Sequence, residues 1–153
     1  MKVYLLTCLL LIVTHVSADD DDVLDLSENS VDSFKAAVRQ HDVILVDFCE
    51  YHVKWSQVMI VLSKVAPWCG YSKKLAPEYS KAATVLKSDD PPVPLAKVDC
   101  TSQDGGKDIC RKYGVRGYPT LKLFKSGQFS EEYQGPREAD AIVEYMQSKA
   151  GER

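Results

Sequence analysis

The sequence predicts an α/β domain built on a mixed central sheet. Three observations carry that reading. Residues 43–48 (VILVDF) and 95–98 are nearly continuous apolar runs, as expected of strands buried on both faces. Segments with helical spacing separate them. The chain then closes with two short strand candidates joined by Ser126-Gly127, which reads as a hairpin. At 153 residues there is room for a single compact domain, and 45% apolar residues is ordinary for one. A formal charge of −3 argues against a nucleic-acid partner, which would need a basic field.

Taken in order, residues 19–22 are four aspartates and read as a solvated tail, and residues 23–26 (VLDL) as a short strand. Ser30 is placed to cap a helix over residues 31–40 that turns Phe34, Ala37 and Val38 to one face. Residues 72–86 have helical spacing through Leu75, Tyr79, Ala82, Ala83 and Leu86, with Pro77 expected to kink them. A proline-rich loop follows at residues 89–94, then the strand 95–98 and a short helix near residues 107–113. Residues 120–124 and 129–133 form the hairpin, and residues 138–148 a last helix with Ile142, Val143 and Met146 inward. Strands alternating with helices before a terminal hairpin give the mixed sheet.

Residues 1–18 stand apart. A basic start, an apolar run over residues 5–13 and the small pair Ser17-Ala18 read as a cleaved secretory signal. The apolar run is shorter than the ~20 residues of a membrane span. The domain is therefore assigned to residues 19–151, with 152–153 as its C-terminal end, in the endoplasmic reticulum lumen or secreted, since no KDEL-like ending is present. No membrane partner is expected. Cys8 leaves with the signal, and Cys49, Cys69, Cys100 and Cys110 remain to an oxidising compartment, where four cysteines allow three pairings.

The stretch with most chemical content is residues 66–77, APWCGYSKKLAP. Cys69 lies just ahead of a helix, where unpaired N–H groups and the positive end of the helix dipole favour thiolate over thiol. Such cysteines can fall to a pKa of roughly 3.5–7.5, and the thiolate is the attacking species in disulfide exchange. A buried structural cysteine is the plainer alternative.

APWCG, KKLAPEY, KVDC, GYPTLKLF and GPREAD together resemble the catalytic thioredoxin domains of protein disulfide isomerases. Within that family the chain is most similar to the first domain of the isomerase that partners the lectin chaperones calnexin and calreticulin. The resemblance covers residues 23–151 apart from one interruption. It implies a thioredoxin fold and the making, breaking and rearranging of disulfides in cysteine-containing client proteins, with no cofactor and no metal, alongside other chaperones or oxidoreductases of the same compartment. Residue by residue, it implies that Cys69 attacks, that Trp68, Gly70 and Tyr71 frame it, and that Pro119 is a cis-proline facing it. The backbone of Tyr118 would hold an extended substrate. Asp47 matches the family's buried acid, Lys97 its basic neighbour, and Arg137 an arginine that tunes the second thiol. For Asp47 and Lys97 a buried ion pair is the plainer alternative, and for Arg137 a surface position at a helix start. Cys100 and Cys110 match a pair that forms a structural disulfide.

Two features depart from the family. The motif is Cys-Gly-Tyr-Ser where the family has Cys-Gly-His-Cys, so Ser72 replaces the resolving cysteine and Tyr71 a titratable histidine. A hydroxyl cannot attack as a thiolate does, so limited isomerisation or prolonged covalent capture is expected. The second departure is residues 49–65, seventeen residues where the family has one. Loop entropy grows slowly with length, but the apolar, β-prone run 58–62 is unlike a surface loop. A genuine insertion that covers the substrate groove and a retained intron both remain open. Cys49, His52 and Cys69 suggest a metal site only weakly, because a fourth ligand is lacking. Three functions therefore stand: a thiol–disulfide isomerase of limited scope, a non-catalytic capture or chaperone-like domain, and an aberrantly spliced inactive product.

Overall fold

The computed structural model describes residues 22–50 and 70–152. The signal segment lies outside the described residues, as does most of the 49–65 segment. The elements are β1 (Val23–Asp25), α1 (Val31–Val38), β2 (Val43–Cys49), α2 (Gly70–Lys87), β3 (Leu95–Asp99), α3 (Gly106–Lys112), β4 (Thr120–Lys125), β5 (Gln128–Glu132) and α4 (Ala139–Gly151). They make one five-stranded sheet in the order β1-β3-β2-β4-β5. β1 and β2 run parallel to β3, while β4 is antiparallel to both β2 and β5.

β2 is central and buried at all seven positions. Because successive strand residues point to opposite faces, its side chains divide between two cores. Val43 and Leu45 join Leu75, Tyr79, Leu86, Ile142 and Met146 under α2 and α4. Ile44, Val46 and Phe48 join Phe34, Val38, Ile109 and Phe124 under α1 and α3. The same alternation places Asp47 on the α2 side. Cys49, first residue of the seventeen-residue segment, is here the last residue of β2: it is buried and stands in register with Asp99.

Local chemistry explains the ends of the elements. Ser30 accepts the Ser33 N–H at 3.1 Å and so caps α1. At the β4–β5 turn Ser126 and Gly127 have φ of 48° and 78°, the left-handed pair that a two-residue hairpin requires. Pro77 lies inside α2, where it removes one N–H from the helix ladder. Tyr79, two residues on, donates its hydroxyl within reach of the Leu45 and Ala96 carbonyls, at 2.8 and 3.0 Å.

Cys100 and Cys110 are joined by a disulfide, with Cα atoms 5.6 Å apart. It ties the loop after β3 to α3. Closing a loop of this size removes unfolded-state entropy worth about 3 kcal/mol. Replacing both cysteines by alanine is expected to lower the unfolding free energy by that order in urea titration. A change under about 0.5 kcal/mol would show that α3 is held by its core contacts alone.

Candidate active site

The start of α2, the Tyr118–Pro119 loop and the start of α4 surround one groove of about 500 Å³. Tyr71, Leu75, Tyr118 and Pro119 form its apolar walls, and Lys74, Glu78, Arg137 and Glu138 its charged flank. Tyr71, Lys74, Leu75 and Glu78 fall at i, i+3, i+4 and i+7, so one stripe of α2 faces the groove. The Tyr118–Pro119 peptide is cis. Tyr71 and Tyr118 are 75% and 42% exposed, which leaves both rings available to a ligand.

Arg137 crosses the groove and donates from Nη1 to the Pro119 carbonyl at 3.3 Å. Glu78 works on two elements at once. One carboxylate oxygen pairs with Lys81 at 2.7 Å, and the other accepts the Ala139 N–H at 3.1 Å, capping α4 from a different helix.

Ser72 is buried in the first turn of α2. Behind that helix Asp47 is 2% exposed, and its Oδ1 has no hydrogen-bond partner among the described residues. Burial pushes its carboxyl up to about 7, against the opposing pull of the Arg137 charge, a Cys49 hydrogen bond and the Lys97 charge. Lys97 stands directly across from Asp47 in the β2–β3 register and is half-buried. The Cys49 thiol reaches the Val98 carbonyl at 3.4 Å. Partial burial raises the Tyr118 phenol, helped by the charges of Glu50, Asp99 and Cys49.

The structure thus brings Asp47, Lys97, Arg137, Tyr71, Ser72, Tyr118 and Pro119 to one end of the sheet, with Gly70 as the first residue of α2. Trp68 and Cys69 lie outside the described residues, as does His52. Among the described residues no three His, Cys, Asp or Glu side chains are grouped to hold a metal ion. No described helix is long and apolar enough to cross a membrane. The sequence reading missed Lys74, Leu75, Glu78 and Glu138 as groove residues. Helical spacing from Tyr71 would have found the first three. Glu138 depends on how α4 packs.

Comparison with known proteins agrees with this architecture. Residues 25–148 match the thioredoxin family model. The first thioredoxin domain of mouse protein disulfide-isomerase A4 is 33% identical, with a TM-score of 0.61 over 85% of this chain and 76% of that one. This chain is a thioredoxin-fold domain of the protein disulfide-isomerase family. A protein disulfide-isomerase of Ricinus communis is 40% identical over 151 residues, covering 97% of the chain. The alignment spans only 27% of that relative, so the chain is about a quarter of its length. The zinc-bound form of human ERp44 superposes with a TM-score of 0.63 at 27% identity, over 83% of this chain and 31% of that one. Of residues 71 and 72, Tyr71 lines the groove beside the cis-proline and Ser72 is buried in the first turn of α2.

Proposed function

We propose that this domain performs thiol–disulfide exchange on client proteins of the secretory pathway, capturing them covalently through Cys69 and releasing them slowly. Membership of the disulfide-isomerase family supports the chemistry. The observation that carries the limited-activity form is Ser72, buried in the first turn of α2 where the family's second cysteine stands.

In this reading the Cys69 thiolate attacks one sulfur of a client disulfide. The client S–S bond breaks, the other client sulfur leaves as a thiolate, and a Cys69–client mixed disulfide remains. Ser72 has no thiolate to attack that bond, so release waits for another client thiol. That client thiolate attacks the client sulfur of the mixed disulfide, forms a new client S–S bond and expels Cys69 as a thiolate; where the new bond differs from the one first broken, the net result is isomerisation. Asp47, with its carboxyl near 7, is suited to holding or giving up a proton behind the site at neutral pH. Tyr118 and Pro119 line the groove in which the client strand lies. Residues 1–18 fit a secretory signal, and a lumenal or secreted location follows from that reading. The same missing thiol supports a second reading, a capture domain with no turnover.

Cys69 should alkylate faster at pH 6.5 than a free cysteine, whose pKa is about 8.5. Stopped-flow iodoacetamide kinetics on the chain and on Cys69→Ser decide this. A rate equal to that of a model thiol would end the claim that the site is activated.

A further inference from the structure

We propose that Glu78 is a positioning residue for client capture: by fixing the start of α4 it holds Arg137 on the carbonyl of the cis-proline. The inference rests on the client-capture reading above and adds to it a residue that acts through others.

The chain from Tyr133 to Ala139 carries Arg137 to the groove, and it is pinned on both sides of that residue. Ahead of Arg137, the Tyr133 N–H donates to the Leu121 carbonyl at 2.8 Å, and the Tyr133 hydroxyl donates to the Pro136 carbonyl at 2.7 Å. The Tyr133 ring is buried and lies against Tyr145, with centroids 4.6 Å apart. It also passes so close to Gly135 that a Cβ there would stand 2.5 Å from the Tyr133 hydroxyl oxygen. Beyond Arg137, the Ala139 N–H donates to Glu78 at 3.1 Å. A helix start usually takes such a bond from its own N-cap side chain. Here the N-cap residue is Glu138, whose side chain makes no cap bond, and the acceptor comes from α2 instead. Glu78 adjoins Tyr79, whose hydroxyl reaches carbonyls on β2 and β3, so the acceptor sits on a fixed part of its helix.

Held in this way, Arg137 donates to the Pro119 carbonyl at 3.3 Å, directly after the cis bond. From within the loop, the Thr120 hydroxyl donates to the Gly117 carbonyl at 2.7 Å. Two hydrogen bonds in series, Ala139 to Glu78 and Arg137 to Pro119, therefore join the three walls of the groove: α2, the start of α4 and the cis-proline loop. A client strand on Pro119 has to meet α2 at a set distance, and small errors of placement are costly in such geometry. Breaking either bond frees the loop from α2, so the loss falls on client binding and not on the chemistry at sulfur.

The test uses the full chain and an alanine-rich peptide with one cysteine, activated as the thionitrobenzoate disulfide. Attack by Cys69 on the peptide sulfur forms the protein–peptide disulfide and expels the coloured thionitrobenzoate thiolate. Rates over a range of peptide concentrations give a half-saturating concentration and a maximal rate. Glu78→Ala and Arg137→Gln are each expected to raise the half-saturating concentration about five-fold, with the maximal rate carrying little of the change. Glu78→Gln keeps an oxygen for the Ala139 N–H and should stay near the parent. Lys81→Ala removes the ion pair alone and should do the same. The double variant Glu78→Ala with Arg137→Gln should be no worse than either single one, because the two bonds act in series. Tyr133→Phe loosens the segment from its other end and should move the half-saturating concentration in the same direction. Should Glu78→Ala not fold, Glu78→Met removes the acceptor at similar side-chain length and takes its place in the cycle. Additive losses in the double variant, a loss in Glu78→Gln or Lys81→Ala as large as in Glu78→Ala, or a change confined to the maximal rate would overturn the proposal while leaving the exchange chemistry intact. If the parent captures no peptide, the exchange reading fails instead. Fluorescence anisotropy with the cysteine-to-serine peptide then decides the role of Glu78 by the same ratios, and undetectable binding to the parent overturns it too.

Discussion

Incubated with reduced client protein under mild oxidation, the chain is expected to accumulate mixed disulfides that persist for many minutes, and to reduce insulin hardly at all. The reason is the side chain at position 72. Restoring the thiol with Ser72→Cys places it at a buried position in the first turn of α2. Intramolecular attack has an effective concentration far above that of a second client thiol, so complex lifetime should fall by at least about a hundred-fold. Non-reducing gels after acid quenching follow the lifetime directly. Efficient insulin reduction by the unmodified chain would show that a different thiol resolves the complex. Cys49 is the one to replace in that event, as the cysteine outside the disulfide among the described residues. No gain from Ser72→Cys would show that the resolving position is not at residue 72, and the capture-only reading would then stand.

The largest effect on stability is expected from Asp47, and it depends on pH. Its carboxyl titrates near 7 in the folded chain and at the ordinary 3.8 when exposed. Below the lower value it is protonated in both states and costs nothing. Between the two values the folded state holds a proton that the unfolded state has lost, so stability falls as pH rises. Above the upper value the folded chain carries a buried charge. Three units at 1.36 kcal/mol each make this about 4 kcal/mol between pH 4 and pH 8, as an upper figure. Asp47→Asn removes the titration. Urea unfolding should show the variant gaining on the parent steadily through that window and exceeding it by a few kcal/mol at pH 8. A constant difference between the two at all pH values would mean that Asp47 is not desolvated as described.

Much of this arrangement is legible in the residues alone. Runs such as VILVDF and a Ser-Gly turn declare strands and a hairpin because strand burial and left-handed φ restrict which residues are tolerated. Asp47 within an otherwise apolar strand is visible as an anomaly, and its place on the α2 face follows from period-two counting. What cannot be read is anything that two distant segments make together. Glu78 capping α4 joins residues 61 apart in sequence. The unmatched Oδ1 of Asp47 is a property of its surroundings, not of its neighbours in the chain. Cys49 reads as the start of the interruption because the resemblance to the family breaks after VDF, yet β2 runs on to include it. The hydrogen bond from the Cys100 N–H to its carbonyl, 2.8 Å long, continues the β2–β3 pairing past Phe48.

Tyr79 carries a consequence for how such a domain can change over time. Its single hydroxyl lies within bonding distance of carbonyls on two parallel strands, and Leu75, Ala82, Ala83 and Leu86 pack into the same core from the same helix. The position of α2 along the sheet is thus set from its middle, by contacts that do not involve the residues leading into it. A helix held at its middle in this way is expected to tolerate changes in the length of the chain between Cys49 and Gly70. Mutational drift in that connection is uncoupled from the alignment of residues 71, 74, 75 and 78 with the cis-proline. Homologous exchange of connections between family members should leave the groove in place, whereas exchange of the Tyr79 turn should not.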